Sequence, residues 1–172
     1  GQTFPLRNKG LKIPTLAEVF NAFPETKMNL EIKDARSSTI QSLCRMIGDH
    51  QMTKRVMVAS FDADSLNEFR KLCPLVATSA AASEALLFYG LQKVYLETAY
   101  SPDAQALQVT ESFRDLRVVN RRFIEAAHAR NMRVQVWTVN DVNAMQRLLE
   151  LGVDGIMTDY PQRLLELMNP PK

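Results

Sequence analysis

An acidic and a basic residue stand two positions apart in the segment MNLEIKD, residues 28–34. Glu31 and Lys33 alternate with apolar residues, and this period of two predicts a β-strand whose apolar side chains share one face. The two charged side chains then lie side by side on the other face, near the end of the strand. A carboxylate suits a hard divalent cation, and an ammonium group beside it suits a phosphate oxygen.

Two interpretations of this pair are open from the residues alone. On a half-exposed strand, Glu31 and Lys33 form an ordinary surface charge pair that contributes little to stability. In a central strand of a parallel sheet both faces are covered, and two charges there are costly unless a metal or substrate compensates them. The second interpretation predicts a functional site.

Several other predicted strands also end in polar or aromatic residues, namely Ser60, Trp137, Asn140 and Asp159. Barrel enzymes collect their catalytic groups at the carboxyl ends of the strands. Trp137 is either a large core residue or a wall of the substrate site. Asp159 either binds in the mouth or caps the helix that follows it.

Helix and strand signals alternate along the chain, which indicates a parallel α/β architecture. Thr15 and Glu18 form a capping box, Asn120 and Asp141 are N-caps, and Gly152 ends a helix. The six predicted strands are MNLEIK (28–33), RVMVASF (55–61), PLVATSA (74–80), KVYLET (93–98), RVQVWTV (133–139) and GIMTDYP (155–161). Helices are predicted at 38–47, 62–72, 121–130, 142–151 and 162–168, and residues 83–91 are predicted as an apolar helix or turn. Residues 99–116 are predicted as loops around ALQV.

Two parallel arrangements compete, an open doubly wound sheet and a (β/α)8 barrel. No glycine-rich phosphate loop follows any strand, which disfavours the nucleotide-binding sheet. A complete barrel takes about 250 residues, and the first 14 of these 172 residues read as a loop. We therefore expect a single domain that is a partial (β/α)8 barrel of about six β/α units.

Composition excludes several classes of protein. The chain is 46% apolar and 23% charged with a net charge of +2, which is typical of a globular domain and gives no basic patch for nucleic acid. No window reaches the roughly 18 apolar residues of a membrane span. Cys44 and Cys73 are predicted to be buried thiols, and His50 and His128 are predicted to have surface or helix-packing roles.

The segments IPTLAEVFNAFPETKMNLEIKD, VASF, AAHARNMRVQVWTVND and LLELGVDGIMTDYPQRL closely resemble the C-terminal two-thirds of the glycerophosphodiester phosphodiesterase family. The resemblance implies a TIM barrel that hydrolyses glycerophosphodiesters to glycerol 3-phosphate and an alcohol with a divalent cation, Ca²⁺ or Mg²⁺. Glu31 matches the family's metal-binding glutamate, and Lys33 matches its phosphate-contacting catalytic lysine. Trp137 matches the aromatic residue that packs on the glycerol part of the substrate.

The family's His-Arg-Gly strand, Pro-Glu-Asn segment, acidic pair and His-Asp motif are not found in these residues. His50 and His128 match neither of the family's two catalytic histidines. We expect the chain to be a C-terminal fragment of a phosphodiesterase, inactive alone and prone to self-association through exposed strand edges. The alternative is a non-catalytic anion-binding or interaction module. ALLFYGLQKVYLE, residues 85–97, suggests either a lipid-facing mouth that admits lysophospholipids or a plain packed helix.

Overall fold

A computed structural model describes residues 9–114 and 116–169 of the chain as an α/β fold. Its strands are β1 (Met28–Glu31), β2 (Val56–Ala59), β3 (Ala77–Thr78), β4 (Ala106–Val109), β5 (Ser112–Phe113), β6 (Leu116–Arg117), β7 (Arg133–Val136) and β8 (Gly155–Ile156). Its α-helices are α1 (Leu16–Ala22), α2 (Ser37–Asp49), α3 (Ala63–Leu72), α4 (Ala82–Lys93), α5 (Arg121–His128), α6 (Val142–Leu151) and α7 (Pro161–Met168).

Six parallel strands follow one another in chain order across the sheet. The order β1-β2-β3 continues into β4-β7-β8 through a parallel bridge between Ser79 and Ala106. The Ala80 N–H donates to the Ala106 carbonyl oxygen at 2.8 Å, which extends that connection. A helix follows each of these strands, so the described residues form six consecutive β/α units. They do not close into a barrel.

The two faces of the sheet differ in character, as the alternation in the sequence predicts. Met28, Leu30 and Ile32 pack with the helices on one side, while Asn29 and Glu31 are exposed on the other. β4 and β7 repeat this arrangement with valine and leucine toward the helices. Their opposite face carries Gln108, Gln135 and, just after β7, Trp137.

Helix ends follow the predicted capping chemistry. Thr15 and Glu18 form the capping box of α1, and the Asn120 and Asp141 side chains accept the N–H groups of the third residues of α5 and α6. The Asp62 side chain caps α3 by accepting the Ser65 N–H. Gly152 ends α6 with a positive φ of 89°, a conformation that costs glycine little.

The prediction of a strand at 93–98 is wrong. α4 continues to Lys93, the chain turns at Tyr95 with a φ of 63°, and Glu97–Ala99 form a short 3-10 helix. The fourth parallel strand is instead β4, in the segment predicted as loop around ALQV. β6 pairs antiparallel with β5 outside the main sheet.

The prediction of buried thiols is also wrong. Cys44 in α2 and Cys73 at the end of α3 form a disulfide with a Cα–Cα distance of 5.9 Å. Both cysteines are half-buried. Helices of consecutive β/α units lie side by side, and this packing brings together two residues that are 29 positions apart.

The predicted loop at residues 1–14 lies partly outside the described residues. Residues 9–14 contain neither helix nor strand. Among the described residues, no helix has the length and apolar character needed to cross a membrane.

Candidate active site

A cavity of about 290 Å³ opens at the carboxyl ends of the strands, and we call it the mouth cavity. Glu31 and Lys33 reach it from β1, Phe61 from the end of β2, and Trp137 from the end of β7. Glu31 and Lys33 are the ionisable residues among those that line it. Of the strands that carry these four residues, β1 and β2 belong to the first half of the chain and β7 belongs to the second half.

The acid and the base predicted to lie side by side do so. Lys33 Nζ donates to Glu31 Oε1 at 2.7 Å. The Lys33 side chain is 74% exposed and that of Glu31 is 32% exposed, so the pair meets water and adds little to folding stability. An accessible charge pair at the end of a parallel strand is placed to meet a ligand.

Aromatic rings cover the pair from the neighbouring strand ends. Lys33 Nζ lies 5.8 Å from the centre of the Phe61 ring. Phe61 in turn meets Trp137 edge to face, with ring centres 5.9 Å apart. The peptide bond between Trp137 and Thr138 is cis. Trp137 is half-buried and lines the mouth cavity.

Phe61 was missed by the sequence reasoning, which named only its neighbour Ser60. Phe61 is 61% exposed, which is unusual for a residue that follows a buried strand. Its position at the end of the predicted strand RVMVASF (55–61) was the available signal.

Ser60 is buried at the edge of the mouth cavity, and its hydroxyl forms hydrogen bonds with the backbone. Its hydroxyl donates to the Ile32 carbonyl oxygen at 3.1 Å and accepts the Asp62 N–H at 3.2 Å. These bonds tie the end of β1 to the start of α3. Ser60 therefore holds the loops that carry Lys33 and Phe61.

Asn140 and Asp159 face each other beyond the mouth cavity. The Asn140 amide nitrogen donates to Asp159 Oδ2 at 2.8 Å, and the Asp159 N–H donates to Asn140 Oδ1 at 2.9 Å. Asp159 does not cap α7, whose N-cap residue is Tyr160. This reciprocal pair ties the loop after β7 to the loop after β8, and neither residue lines the cavity.

The two histidines have the packing roles that were predicted. The His50 ring packs on Phe20, with ring centres 5.6 Å apart. His128 Nε2 is 2.7 Å from Asp154 Oδ2. Neither histidine lines the mouth cavity.

A layer of three amide side chains lies on the inner face of the sheet, and we call it the amide layer; two of its residues, Asn29 and Gln108, line the mouth cavity. It consists of Asn29, Gln108 and Gln135, which come from β1, β4 and β7. Gln108 Nε2 donates to Asn29 Oδ1 at 2.9 Å and to Gln135 Oε1 at 2.8 Å. These hydrogen bonds cross the inner face of the sheet and connect its two halves.

The chain belongs to a known protein family. Residues 1–163 match the glycerophosphoryl diester phosphodiesterase family, so the chain is a member of it. A glycerophosphodiester phosphodiesterase from Bacillus altitudinis is 28% identical over 170 residues, which are 93% of this chain and 64% of that protein. The lysophospholipase D of Rattus norvegicus is 24% identical over 179 residues, which are 92% of this chain and 57% of that protein.

Among solved structures, an Oleispira antarctica phosphodiesterase in complex with the product sn-glycerol-3-phosphate shares the fold. It superposes with a TM-score of 0.64 at 19% identity, over 91% of this chain and 61% of that one. The chain spans about 60% of the length of the first curated relatives it matches.

Proposed function

We propose that this chain is the part of a glycerophosphodiester phosphodiesterase that binds the phosphate and glycerol groups of the substrate. The complete protein would hydrolyse glycerophosphodiesters to glycerol 3-phosphate and an alcohol. One observation carries the proposal: the Glu31–Lys33 pair and the Phe61–Trp137 pair line one cavity at the strand ends, in a member of this family.

Lys33 is the proposed catalytic residue, and it also binds substrate. Hydrolysis of a phosphodiester gathers negative charge on the phosphoryl oxygens as the alkoxide leaves. The Lys33 ammonium group, held at the mouth by Glu31 and largely exposed, would donate to one of those oxygens. Its interaction strengthens as the charge grows, which lowers the barrier.

Glu31 is the proposed ligand of a divalent cation, Ca²⁺ or Mg²⁺. Among residues 9–114 and 116–169, no group of three or more His, Cys, Asp and Glu side chains could hold a metal ion. Mg²⁺ is often held by one or two carboxylates together with water and substrate phosphate, and Glu31 offers one carboxylate in the mouth cavity. The single Glu31 carboxylate fits a cation whose other ligands are water, substrate phosphate or groups outside the described residues. When bound, such a cation would neutralise charge on the phosphoryl group.

Trp137 and Phe61 are the proposed walls for the glycerol group. Their rings meet at a T-shaped contact beside Lys33. Carbon-bound hydrogens of a glycerol chain pack well on such faces, and the exclusion of water strengthens the nearby charge interactions. The aromatic pair would thereby set the position of the diester relative to Lys33.

The six β/α units are proposed to be the C-terminal part of a (β/α)8 barrel, and residues 1–172 a single incomplete domain. Within the described residues, β1 and β8 each pair with one neighbour. Open edges of this kind favour pairing between copies. We expect the 172-residue chain to self-associate, and a monodisperse monomer in sedimentation velocity would contradict this.

Lysophospholipid is the proposed lipid substrate, supported by the name of the rat relative. α4 contributes only its first turn to the mouth cavity, through Ala82 and Ala85. The exposed side chains of Val94, Tyr95 and Leu96 lie past the other end of that helix. The apolar segment therefore gives a lipid chain little contact at the mouth, and any acyl chain would lie along Phe61 and Trp137.

The test compares the complete protein from its native gene with the 172-residue chain. Both are assayed on glycerophosphocholine and on lysophosphatidylcholine, with Ca²⁺, with Mg²⁺ and with a chelator. We expect the complete protein to release glycerol 3-phosphate from glycerophosphocholine and lysophosphatidic acid from lysophosphatidylcholine, in both cases only with a metal ion. The short chain should release neither product. An inactive complete protein would contradict the proposal.

A non-catalytic anion-binding module is the second candidate. It is favoured by the mouth cavity, where the described lining offers a single carboxylate and a single ammonium group. This alternative predicts that the complete protein binds glycerol 3-phosphate without turning over either diester. Isothermal titration beside the activity assay separates the two functions.

A further inference from the structure

A second cavity lies at the opposite end of the sheet, and we call it the basal cavity. Its volume is about 550 Å³, within the range of small-molecule sites. The first residues of β1, β2, β3 and β7 line it. It therefore opens where the strands begin, whereas the mouth cavity opens where they end.

Four cationic side chains line the basal cavity, namely Lys27, Lys54, Arg55 and Arg133. No carboxylate is among the described residues that line it. Arg55 is paired with Glu25. Within the described part of the chain, the other three form no ion pair. The cavity thus concentrates positive charge, unlike the mouth cavity, where one acid matches one base.

Neutral hydrogen-bonding groups stand between these cations. Asn131, Gln105 and Gln135 line the cavity together with Asn29. Gln135 uses its oxygen to accept from Gln108 in the amide layer, and its amide nitrogen has no hydrogen-bond partner among the described residues. A free amide donor beside lysine and arginine suits an oxyanion with several acceptor oxygens.

We propose that the basal cavity binds a small soluble anion that carries phosphoryl groups. Arginine matches the paired oxygens of a phosphate, lysine supplies a point charge, and the cavity is large enough for two phosphoryl groups. The basal cavity binds this anion whether or not the mouth cavity hydrolyses a diester, because Lys33 lies at the other end of the strands.

The amide layer separates the two sites and touches both. Asn29 lines both cavities, and Gln108 connects Asn29 to Gln135. An anion on the basal side therefore contacts a residue that also lines the mouth cavity. Occupancy at one end should be visible at Asn29 and Gln108, but the anion should not compete with ligands at the other end.

The test uses ¹⁵N-labelled protein titrated with inorganic pyrophosphate and followed by backbone and side-chain amide shifts. We expect saturable shifts at Lys27, Lys54, Asn131 and Arg133. The double variant Lys54→Ala/Arg133→Gln should weaken this binding by at least about tenfold. Lys33→Met should leave pyrophosphate binding at the basal cavity unchanged, because Lys33 lines the mouth cavity instead.

A matched control removes two positive charges elsewhere. Lys12 and Arg45 are exposed and lie outside the basal cavity, so Lys12→Ala/Arg45→Gln should bind pyrophosphate as the wild type does. Circular dichroism establishes that each variant is folded. The proposal is overturned if the wild type shows no saturable shifts, if both double variants weaken binding equally, or if Lys33→Met abolishes it. A titration with phosphatidic acid vesicles distinguishes a lipid headgroup, whose preferred binding would also overturn it.

Discussion

The first three strands and the last three parallel strands build similar scaffolds but supply different chemistry. Each half packs its helices over an apolar cluster, centred on Phe69 in the first and on Phe123 in the second. The first half places Glu31 and Lys33 in the mouth cavity, while the second contributes Trp137. The charges thus come from the first half alone, whereas the aromatic pair takes Phe61 from the first half and Trp137 from the second. The proposed site therefore requires both halves in register.

The halves also differ in how they are held together. The first half carries the disulfide between Cys44 and Cys73, and the second carries no cysteine. The Arg70–Glu84 ion pair joins them, with Nη1 and Oε1 2.7 Å apart and both side chains largely buried. Arg70 belongs to α3, whose Phe69 packs in the first cluster, and Glu84 belongs to α4, whose Phe88 packs in the second cluster, so this pair spans the junction.

Removal of the charge in the first half should have the largest effect. In the complete protein, Lys33→Met should reduce kcat about 10²- to 10³-fold, because the growing phosphoryl charge loses its donor. Glu31→Gln should cause a loss of similar size. Steady-state assays on glycerophosphocholine measure both changes.

Asp159→Asn is the control for these two variants, since Asp159 pairs with Asn140 outside the mouth cavity. It should keep most of the activity. Because the Glu31–Lys33 pair is accessible to water, thermal melts of all three proteins should nearly coincide. A Lys33→Met enzyme with wild-type kcat would contradict the division of roles between the halves.

Loss of the disulfide should have the next largest effect, and it acts on the first half. Closing a loop of 29 residues stabilises a fold by about 3–4 kcal/mol, mainly through the unfolded chain. Dithiothreitol should therefore lower the free energy of unfolding of the wild type by about that amount. Urea titration measures it.

The Cys44→Ser/Cys73→Ser variant is the matched control for reduction. It should be less stable than the oxidised wild type and insensitive to dithiothreitol. Thiol titration of the denatured wild type should find no free thiol, since the chain has two cysteines and both are bonded. Two reactive thiols would refute the cross-link.

Removal of the ring in the second half should have a smaller effect on catalysis. Trp137→Ala in the complete protein should raise KM about tenfold, because an aromatic contact with substrate contributes about 1 kcal/mol beyond its buried area. The value of kcat should change less than in Lys33→Met. Trp137→Phe should recover most of the affinity, and an unchanged KM in Trp137→Ala would exclude the wall.

The smallest expected effect is at the junction between the halves. Burial raises the pKa of the Glu84 carboxyl, but hydrogen bonds from Arg70 and the Ala81 N–H outweigh it and hold the pKa below its ordinary value of 4.5. The folded protein therefore resists protonation more than the unfolded chain does. The stability from this pair is present above about pH 4.5 and is lost as the pH falls through the lower folded value.

Glu84→Gln sharpens this expectation. Near neutral pH it should be less stable than the wild type by about 1 kcal/mol, and the difference should shrink below pH 4.5. Thermal melts between pH 7 and pH 3 provide the measurement. A constant difference in stability across that range would show that the pKa of Glu84 is the same in the folded and the unfolded chain.

Local sequence signals were enough for much of this structure. Alternation placed Glu31 and Lys33 on one face of a strand, and capping residues located the starts of α1, α5 and α6. Both signals depend on residues that are a few positions apart in the sequence, so they can be recognised without knowledge of the tertiary structure.

Features that depend on packing were not predicted. The apolar run at 93–98 reads as a strand by composition, but α4 extends into it and the chain turns at Tyr95. The disulfide depends on the side-by-side packing of α2 and α3, and the Phe61–Trp137 contact depends on strands far apart in the sequence. Long-range pairings of this kind have no local pattern to reveal them.

The disulfide closes residues 44–73, within the first half, into a covalent ring. Cys44 and Cys73 enclose β2 and α3 together with the exposed Lys54 in the loop before β2. A protease that cuts once after Lys54 therefore opens the ring without releasing a fragment. The two pieces would migrate as one band on a gel until a reductant separates them, so an apparently intact chain can already be nicked beside the basal cavity.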